Sequence, residues 1–505
     1  EVLAVGEEGL MTARLREEVA PFGLAAGFGL LYLLSCRVYA GTDYGFPLDD
    51  SWIHQTIARN FFALGGMYYA PGRPVAASTA PLWTWLMALG HLVGADPVAW
   101  AVEWGAAFVG LAGRQAVLLV RRLAPDFGWA GLAGLIVAGE GHIVWSGMSG
   151  METAAAVWLT LVLLSWAAED RAPSGRGWAF FGAAAAVGTL LRPELALLAG
   201  LAGIARAADA RQHSGWRTLA GPVVAGLVWC LLVSPVGVWN WLVAGTPLPS
   251  TLMAKYVGYG GGLSAGRLFP FLLAALLELL RGLLLLVAVG LPFAAARFRR
   301  RAAGLLLLVW PSALLVALSQ LVPVTFHHGR YLQPALPALL VAGLLGVEYV
   351  LRRAGLKIVY RWFPGIMVFA TVLFNLTGAR NYGLEVRWIN DEHLGIARWV
   401  RTETPPGAVI ATHDVGALGY FGGRPLVDTA GLLNPELIPY VRDPERLVAE
   451  LRRRNVDYLI FFPTWYPSLV GRPDLPVVFE IRTAYARSLG GDDFIVVALS
   501  LPGKP

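Results

Sequence analysis

The sequence predicts a polytopic α-helical membrane protein that ends in a small α/β domain, and three observations carry that expectation. Of 505 residues, 56% are hydrophobic and only 15% are charged, where soluble globular proteins carry about 25% charged residues; the mean hydropathy is +0.57. Apolar runs approaching the roughly 20 residues that cross a bilayer recur through the first three quarters of the chain, among them Pro21 to Ala40, Gly221 to Ala244, Ala303 to Val322 and Pro334 to Leu351. Beyond Arg380, charged residues become frequent and the apolar runs shorten to strand length, as in Val456 to Phe462 and Phe494 to Leu499. The expected division is a membrane domain over 1–380, with its first outer loop at 41–80, and an outer domain over 381–505.

The first 20 residues carry charges of both signs ahead of a full-length apolar run, unlike a cleaved leader, so Pro21 to Ala40 is expected to stay as an anchor. Lysine and arginine in short loops set orientation. They gather at Arg14 and Arg16, Arg121 and Arg122, Arg171 and Arg176, and then Arg206, Arg211 and Arg217. Further along come Arg297, Arg299, Arg300 and Arg301, then Arg352, Arg353 and Lys357. Placing all of these in the cytoplasm gives eleven crossings, near 21–40, 98–120, 128–145, 151–168, 177–191, 194–206, 218–243, 271–296, 303–322, 334–351 and 358–377; other pairings extend the count to thirteen. Pro81 to Val93 is read as interfacial or half-inserted, because a full crossing there would put Arg121 and Arg122 outside. The polar segments 41–80, 146–153, 192–194, 245–267, 323–333 and everything after Arg380 then share the outer face.

The net charge of +6 sits in short loops rather than along one face, so it reports membrane orientation and not nucleic-acid binding. Cys36 and Cys230, the two cysteines, lie in apolar runs, which supports neither a disulfide framework nor a cysteine metal site. From Trp388 onward helices alternate with strands expected at Ala408 to Thr412, Pro425 to Asp428, Asp457 to Phe462, Val477 to Ala484 and Phe494 to Leu499, the pattern of a small α/β domain. Asp414, Asp428 and Asn434 fall at strand ends, where ordinary turn chemistry and a ligand-facing sheet edge are both open. No phosphate-cradling glycine motif accompanies them, so nucleotide binding has no support.

The first outer loop carries Asp49 and Asp50 behind Pro47 and ahead of an amphipathic helical pattern that includes His54 and Arg59. Either aspartate suits a helix cap, and adjacent carboxylates also suit proton abstraction, with the second orienting an acceptor or a cation. Glu152 opens an apolar run, and Arg192-Pro193-Glu194 interrupts another; charges at such depth are costly and tend to serve function. A first-turn acid and a structural ion pair are the other readings of these groups. Arg330 suits bidentate phosphate binding or snorkelling at a helix end, with Lys255, His327, His328 and Tyr331 in segments of the same face. His327 and His328 point apart on regular structure, which makes them a poor metal pair. Glu278 and Arg281, three residues apart, are read as a structural ion pair.

Asp49-Asp50 with Ile53 and Ala58-Arg59-Asn60, followed by Ala77-Ser78-Thr79-Ala80-Pro81-Leu82-Trp83, resembles the first-loop signature of GT-C glycosyltransferases, nearest to the arabinofuranosyltransferase B-like branch related to mannosyltransferases. The resemblance runs on through Ser149 to Thr153, Leu191 to Glu194, Gly245 to Thr251 with Lys255, Gly329-Arg330-Tyr331, Asp414 to Tyr420 and Asp428 to Leu432. It implies a GT-C-like fold of about 11–13 transmembrane helices and a polyprenyl-phosphate sugar as donor. It also implies a glycan, lipid or protein acceptor on the outer face of the cytoplasmic membrane and inverting transfer without a nucleotide. Asp49 and Asp50 are then the catalytic residues. His54, Arg59, Glu152, Arg192, Glu194, Lys255, His327, His328, Arg330 and Tyr331 are the substrate-binding candidates. No metal ligand set and no certain cofactor follow, although a divalent cation is compatible with the paired carboxylates. A transporter of lipid-linked sugars would place ionisable residues near the midplane of repeated halves, and a non-catalytic envelope-glycan scaffold would tolerate neutral replacements at Asp49 and Asp50.

Overall fold

The computed structural model describes residues 2–169, 173–214, 220–299, 301–489 and 492–499; Arg171, Arg217 and Arg300 of the basic loops lie outside the described residues. Two compact units are each assembled from three segments. The first comprises Glu1–Tyr32, Val102–Pro235 and Leu263–Ala379, the second Leu33–Ala101, Val236–Gly262 and Arg380–Pro505. The last cut falls at the composition shift near Arg380, whereas segments 33–101 and 236–262 group with the C-terminal part rather than with the surrounding apolar sequence.

The first unit is helical, as its runs of leucine, alanine and valine dictate once lipid denies the backbone any water to bond. Among the described residues, Arg14–Ala40, Ala220–Ala244, Ala302–Leu321 and Lys357–Glu403 are helical stretches long and apolar enough to cross a membrane. The helices Ala265–Leu279 and Leu284–Phe298, bent by 102°, make a fifth candidate as a pair. This is the build of a multi-pass membrane protein. Two expected crossings are not continuous helices. The stretch near 271–296 is the bent pair, and that near 128–145 divides into Ala130–Gly139 and Gly141–Met148 around Glu140, whose extended backbone (φ −66°, ψ 122°) breaks the ladder. Pro81–Leu92, with 12 residues, is too short to cross, in keeping with a half-inserted segment.

Within this unit the helix ends sort by charge. Arg301 donates to the carbonyls of Leu123 and Ala168 (3.1 and 3.2 Å), Arg122 to that of Ser165 (2.8 Å), and Arg121 pairs with Glu17 and Glu18 (2.7 and 2.8 Å). Basic loops distant in sequence thus meet at one end. Thr153–Ala167, of 15 residues and so about 22 Å long, leads from Ala168 at that end to Glu152 at the other.

The second unit holds a hairpin and a five-stranded sheet. Strands β1 (Tyr68–Ala70) and β2 (Arg73–Pro74) pair antiparallel. The sheet comprises β3 (Ile410–Thr412), β4 (Leu426–Asp428), β5 (Tyr458–Phe461), β6 (Val477–Ile481) and β7 (Phe494–Ala498) in the order β4-β3-β5-β7-β6. The first three run parallel, with Thr412 opposite Asp428 and Ile460, and β7 is antiparallel to both β5 and β6. All five overlap the strands read from sequence. One face packs on Leu447, Val448 and Leu451 of the amphipathic helix Pro444–Arg453. The other builds a core in which Ile57, Met67, Tyr69 and Val75 of the first outer loop join Ile396, Val400, Ile410, Val415 and Val496. Burying each such side chain stabilises by about 1.5–3 kcal/mol, so the first outer loop and the C-terminal segment fold as one body.

Candidate active site

Asp49 occupies the N-cap position of the helix Asp50–Leu64, but its side chain makes no capping bond. Instead Oδ2 accepts the backbone N–H of Gly416 and Oδ1 that of Ala417, each at 2.7 Å. The approach is so close that a Cβ at Gly416 would collide with the Asp49 carbonyl oxygen. The helix-cap reading of Asp49 therefore gives way to a long-range clamp, made because the turn after β3 offers two N–H groups side by side. Asp50, in the first turn, is partly buried, and its charge acts on Asp414.

Asp414 Oδ2 lies 3.2 Å from His393 Nε2 and 3.9 Å from His413 Nε2. Burial, reinforced by the charge of Asp414, pushes the Asp49 carboxyl up to about 7 against the pull of His393 and the two N–H groups. Burial also works against the Asp414 carboxylate, yet the imidazoles of His413 and His393 hold it below its ordinary value. His393 follows Thr377, the end of the apolar part of its long helix, by sixteen residues and so by about 24 Å, outside the membrane. Burial opposes its charged form, but the bond to Asp414 and the charge of Asp49 raise it. Burial lowers His413, against the charge of Asp414.

Other segments of the unit converge here. The Thr251 hydroxyl donates to the Ala77 carbonyl, and that of Ser250 to the carbonyls of Ala76 (3.2 Å) and Leu432 (2.7 Å). Asp428, fully buried and pushed by that burial up to about 7, accepts from the N–H groups of Ala430 and Leu433. Tyr69 donates to the Val415 carbonyl. His54 is buried with Nδ1 2.8 Å from Thr84 Oγ1, which joins its helix to Pro81–Leu92. Arg59 donates to the Tyr420 carbonyl (3.0 Å) and lies over its ring. Lys255 is partly buried on the helix Ser250–Gly258. His54 and Arg59 thus hold the acidic loop in place, and sequence reasoning missed His393, His413 and the paired N–H groups of 416 and 417. An isolated histidine carries no periodic signal, and a contact 367 residues away leaves none either.

The remaining candidates belong to the first unit and form a second cluster. Arg192 bonds Glu152 (3.1 Å), Glu194 (2.5 Å) and Thr153 Oγ1 (3.2 Å), so its charge is matched by two carboxylates. The guanidiniums of Arg192 and Arg330 both lie over the Tyr331 ring, 5.3 and 5.1 Å from its centre, and Arg330 also bonds the Tyr331 hydroxyl at 3.1 Å. His327 and His328 adopt left-handed backbone (φ 54° and 52°), a strained state for two consecutive non-glycine residues. Gln333 Nε2 donates to the His328 carbonyl (3.0 Å) while Ser146 donates to Gln333 Oε1 (2.6 Å), and the His328 ring rests on Trp145 at 4.5 Å. The His327 ring meets that of Phe326 edge-on at 4.6 Å. Glu278 and Arg281 form their ion pair at 2.9 Å. Glu140, unremarked in sequence, accepts the N–H of Leu283 (2.8 Å) at the bend and pairs with His142 (2.7 Å). Among the described residues no group of three or more His, Cys, Asp or Glu is arranged to hold a metal.

Residues 383–496 match a family described as a domain of unknown function (DUF8728). No curated protein matches in sequence. In structure the chain is similar to ArnT from Cupriavidus metallidurans bound to undecaprenyl phosphate, with a TM-score of 0.61, 16% identity and coverage of 95% of this chain and 98% of that one. It is also similar to the Archaeoglobus fulgidus oligosaccharyltransferase in its apo form (TM-score 0.60, 14% identity, 89% and 69% covered). A further similar structure is that enzyme, AglB, with an inhibitory peptide and a dolichol-phosphate (0.56, 13%, 88% and 70%). These neighbours are GT-C superfamily membrane glycosyltransferases, and the fold of this chain is theirs.

Proposed function

We propose that this protein is an inverting membrane glycosyltransferase that moves a sugar from a polyprenyl-phosphate donor to an acceptor hydroxyl on the outer face of the cytoplasmic membrane. The observation that carries this reading is Asp49. A carboxylate fixed by two N–H groups, with its proton affinity raised to about 7, suits a general base at neutral pH. Each of its oxygens keeps a second lone pair for the proton of an attacking hydroxyl. As Asp49 takes that proton, the acceptor oxygen bonds the anomeric carbon. The bond from that carbon to the phosphate oxygen breaks on the opposite side, and polyprenyl phosphate leaves with the electron pair. Asp50, partly exposed beside it, orients the acceptor. Within the first unit, Arg330 suits bidentate binding of a phosphate, while Arg192, already matched by Glu152 and Glu194, positions Tyr331. An apolar groove lined by Phe61, Phe62, Leu82, Trp85, Leu86 and Leu89 suits an isoprenoid chain.

The test is to incubate the purified protein with labelled polyprenyl-phosphate sugars and glycan, lipid and peptide acceptors, comparing wild type with Asp49→Asn and Asp50→Asn. Label should move to one acceptor in the wild type and not in Asp49→Asn; transfer at the wild-type rate by both variants rules the mechanism out. Orientation is tested in a Cys230→Ser background, where cysteines placed at Asp43 and at Arg299 should react with impermeant reagent from opposite sides. Reaction of both from one side defeats the topology.

A further inference from the structure

We propose that Trp465, with Asp414 beside it, forms a sugar-stacking subsite for the acceptor, so that the acceptor is a glycan; this rests on the transferase reading and names its second substrate. Trp465 follows β5 at the edge of the sheet where β3 delivers His413 and Asp414. Its backbone N–H is tied to the Phe462 carbonyl (2.9 Å), and the residue is 42% exposed. One face of the ring lies on His413, with centroids 4.3 Å apart and planes 25° from parallel. His413 in turn meets Phe462 edge-on at 4.6 Å, and Phe462 stacks on Phe494 at 4.3 Å. A column of rings thus fixes the orientation of the outermost one, which remains partly open to solvent.

A lone exposed tryptophan is ordinary; the support beneath this one is not. His413 has a fully buried side chain, and neither ring nitrogen has a hydrogen-bond partner among the described residues. Leaving such a group unmet carries a desolvation cost that a phenyl ring in the same place would not incur. What the imidazole adds is a donor 3.9 Å from Asp414 Oδ2, too far for a hydrogen bond and close enough to make one after a small shift. Asp414 keeps 28% of its side chain exposed, and as a carboxylate it offers only acceptors. A flat apolar face bordered by hydrogen-bond acceptors fits a pyranose or furanose, which presents C–H groups on one face and hydroxyls around its rim. An acyl or isoprenoid chain would need an apolar wall where Thr464 and Asp414 stand. Because Gly416 and Ala417 of the same turn hold Asp49, a sugar on Trp465 lies next to the base.

The experiment titrates the full-length protein in lipid nanodiscs with linear mannan, arabinan and glucan tetrasaccharides and with a serine-containing tripeptide, following ligand signals by saturation-transfer NMR. One tetrasaccharide should bind the wild type, at least tenfold more weakly to Trp465→Ala and within threefold of wild type to Trp465→Phe, with thermal midpoints confirming that both variants fold. Binding of no tetrasaccharide, equal binding by Trp465→Ala, or binding of the tripeptide alone overturns the proposal. Asp49→Asn tests the transferase reading separately, through its transfer activity. If that variant still transfers, the transferase reading fails while the titration continues to report on the subsite.

Discussion

Replacing Asp49 by asparagine separates the chemistry of this carboxylate from its clamp. In the folded protein burial raises its proton affinity from 3.8 to about 7. A group raised in this way stabilises the fold fully below its unfolded value, and the contribution is lost as pH rises through the folded one. Between pH 5 and pH 8 that loss comes to about 3 kcal/mol for a shift of this size. The asparagine variant has no such titration. It instead turns an amide donor toward one of the N–H groups of Gly416 and Ala417, which costs about 1–3 kcal/mol at every pH. The wild type should therefore exceed the variant in thermal midpoint at pH 5 and lose most of that advantage by pH 8. Asp428, pushed the same way, titrates alike in both proteins and cancels from the difference. Transfer, assayed with labelled donor at pH 7.5, should fall by about 10²–10⁴, the usual contribution of a general base. A midpoint difference that ignores pH, or a larger loss of transfer in Asp50→Asn than in Asp49→Asn, refutes the reasoning.

In the wild type, transfer should decline below an apparent pKa near 7, because the base must be ionised; a pH–rate profile flat from pH 5 to 8 would contradict Asp49 in that role. Gly416→Ala should abolish transfer, since the added methyl strikes the Asp49 backbone, and near-normal turnover would show that the clamp is dispensable. Arg192→Ala leaves Glu152 and Glu194 without their cation and should destabilise by about 3–5 kcal/mol, read as a lower melting midpoint, with Arg192→Lys intermediate. Arg330→Lys keeps the charge but loses the forked geometry, so the donor KM should rise about tenfold with little change in kcat; an unchanged KM would remove Arg330 from the phosphate site.

Much of the architecture was legible because it follows from local patterns. Long apolar runs gave helices, and the β-branched run Phe494 to Leu499 gave a strand within one residue of where it forms. What local pattern cannot show is where a helix breaks for the sake of a distant partner. Glu140 interrupts an apolar run to receive the N–H of Leu283, 143 residues on. Nor does it show which side chains meet. The two aspartates stand out by adjacency, yet their inequality comes from the turn after β3, and only the fold decides that Asp49 faces Gly416 and Ala417 while Asp50 stays partly open. The hairpin of β1 and β2 escaped notice for a simpler reason. Its strands of three and two residues are too short to display alternation.

The composition shift at Arg380 suggests a membrane enzyme with an accessory outer domain, and the geometry of Asp49 argues against so simple a division. Its carboxylate belongs to the segment 41–80, and burial is the largest force on its proton affinity, but the groups that act on it beside burial all lie beyond residue 380. Asp414 raises it, and His393 and the N–H groups of 416 and 417 lower it. Were the 414–417 turn to move away, Asp49 would lose both its donors and much of its burial, and would return toward an ordinary aspartate, a weaker base by about three orders of magnitude in proton affinity. The C-terminal segment is therefore part of the base itself, and substitutions at Val415 and Ala417 should shift the pH dependence of transfer.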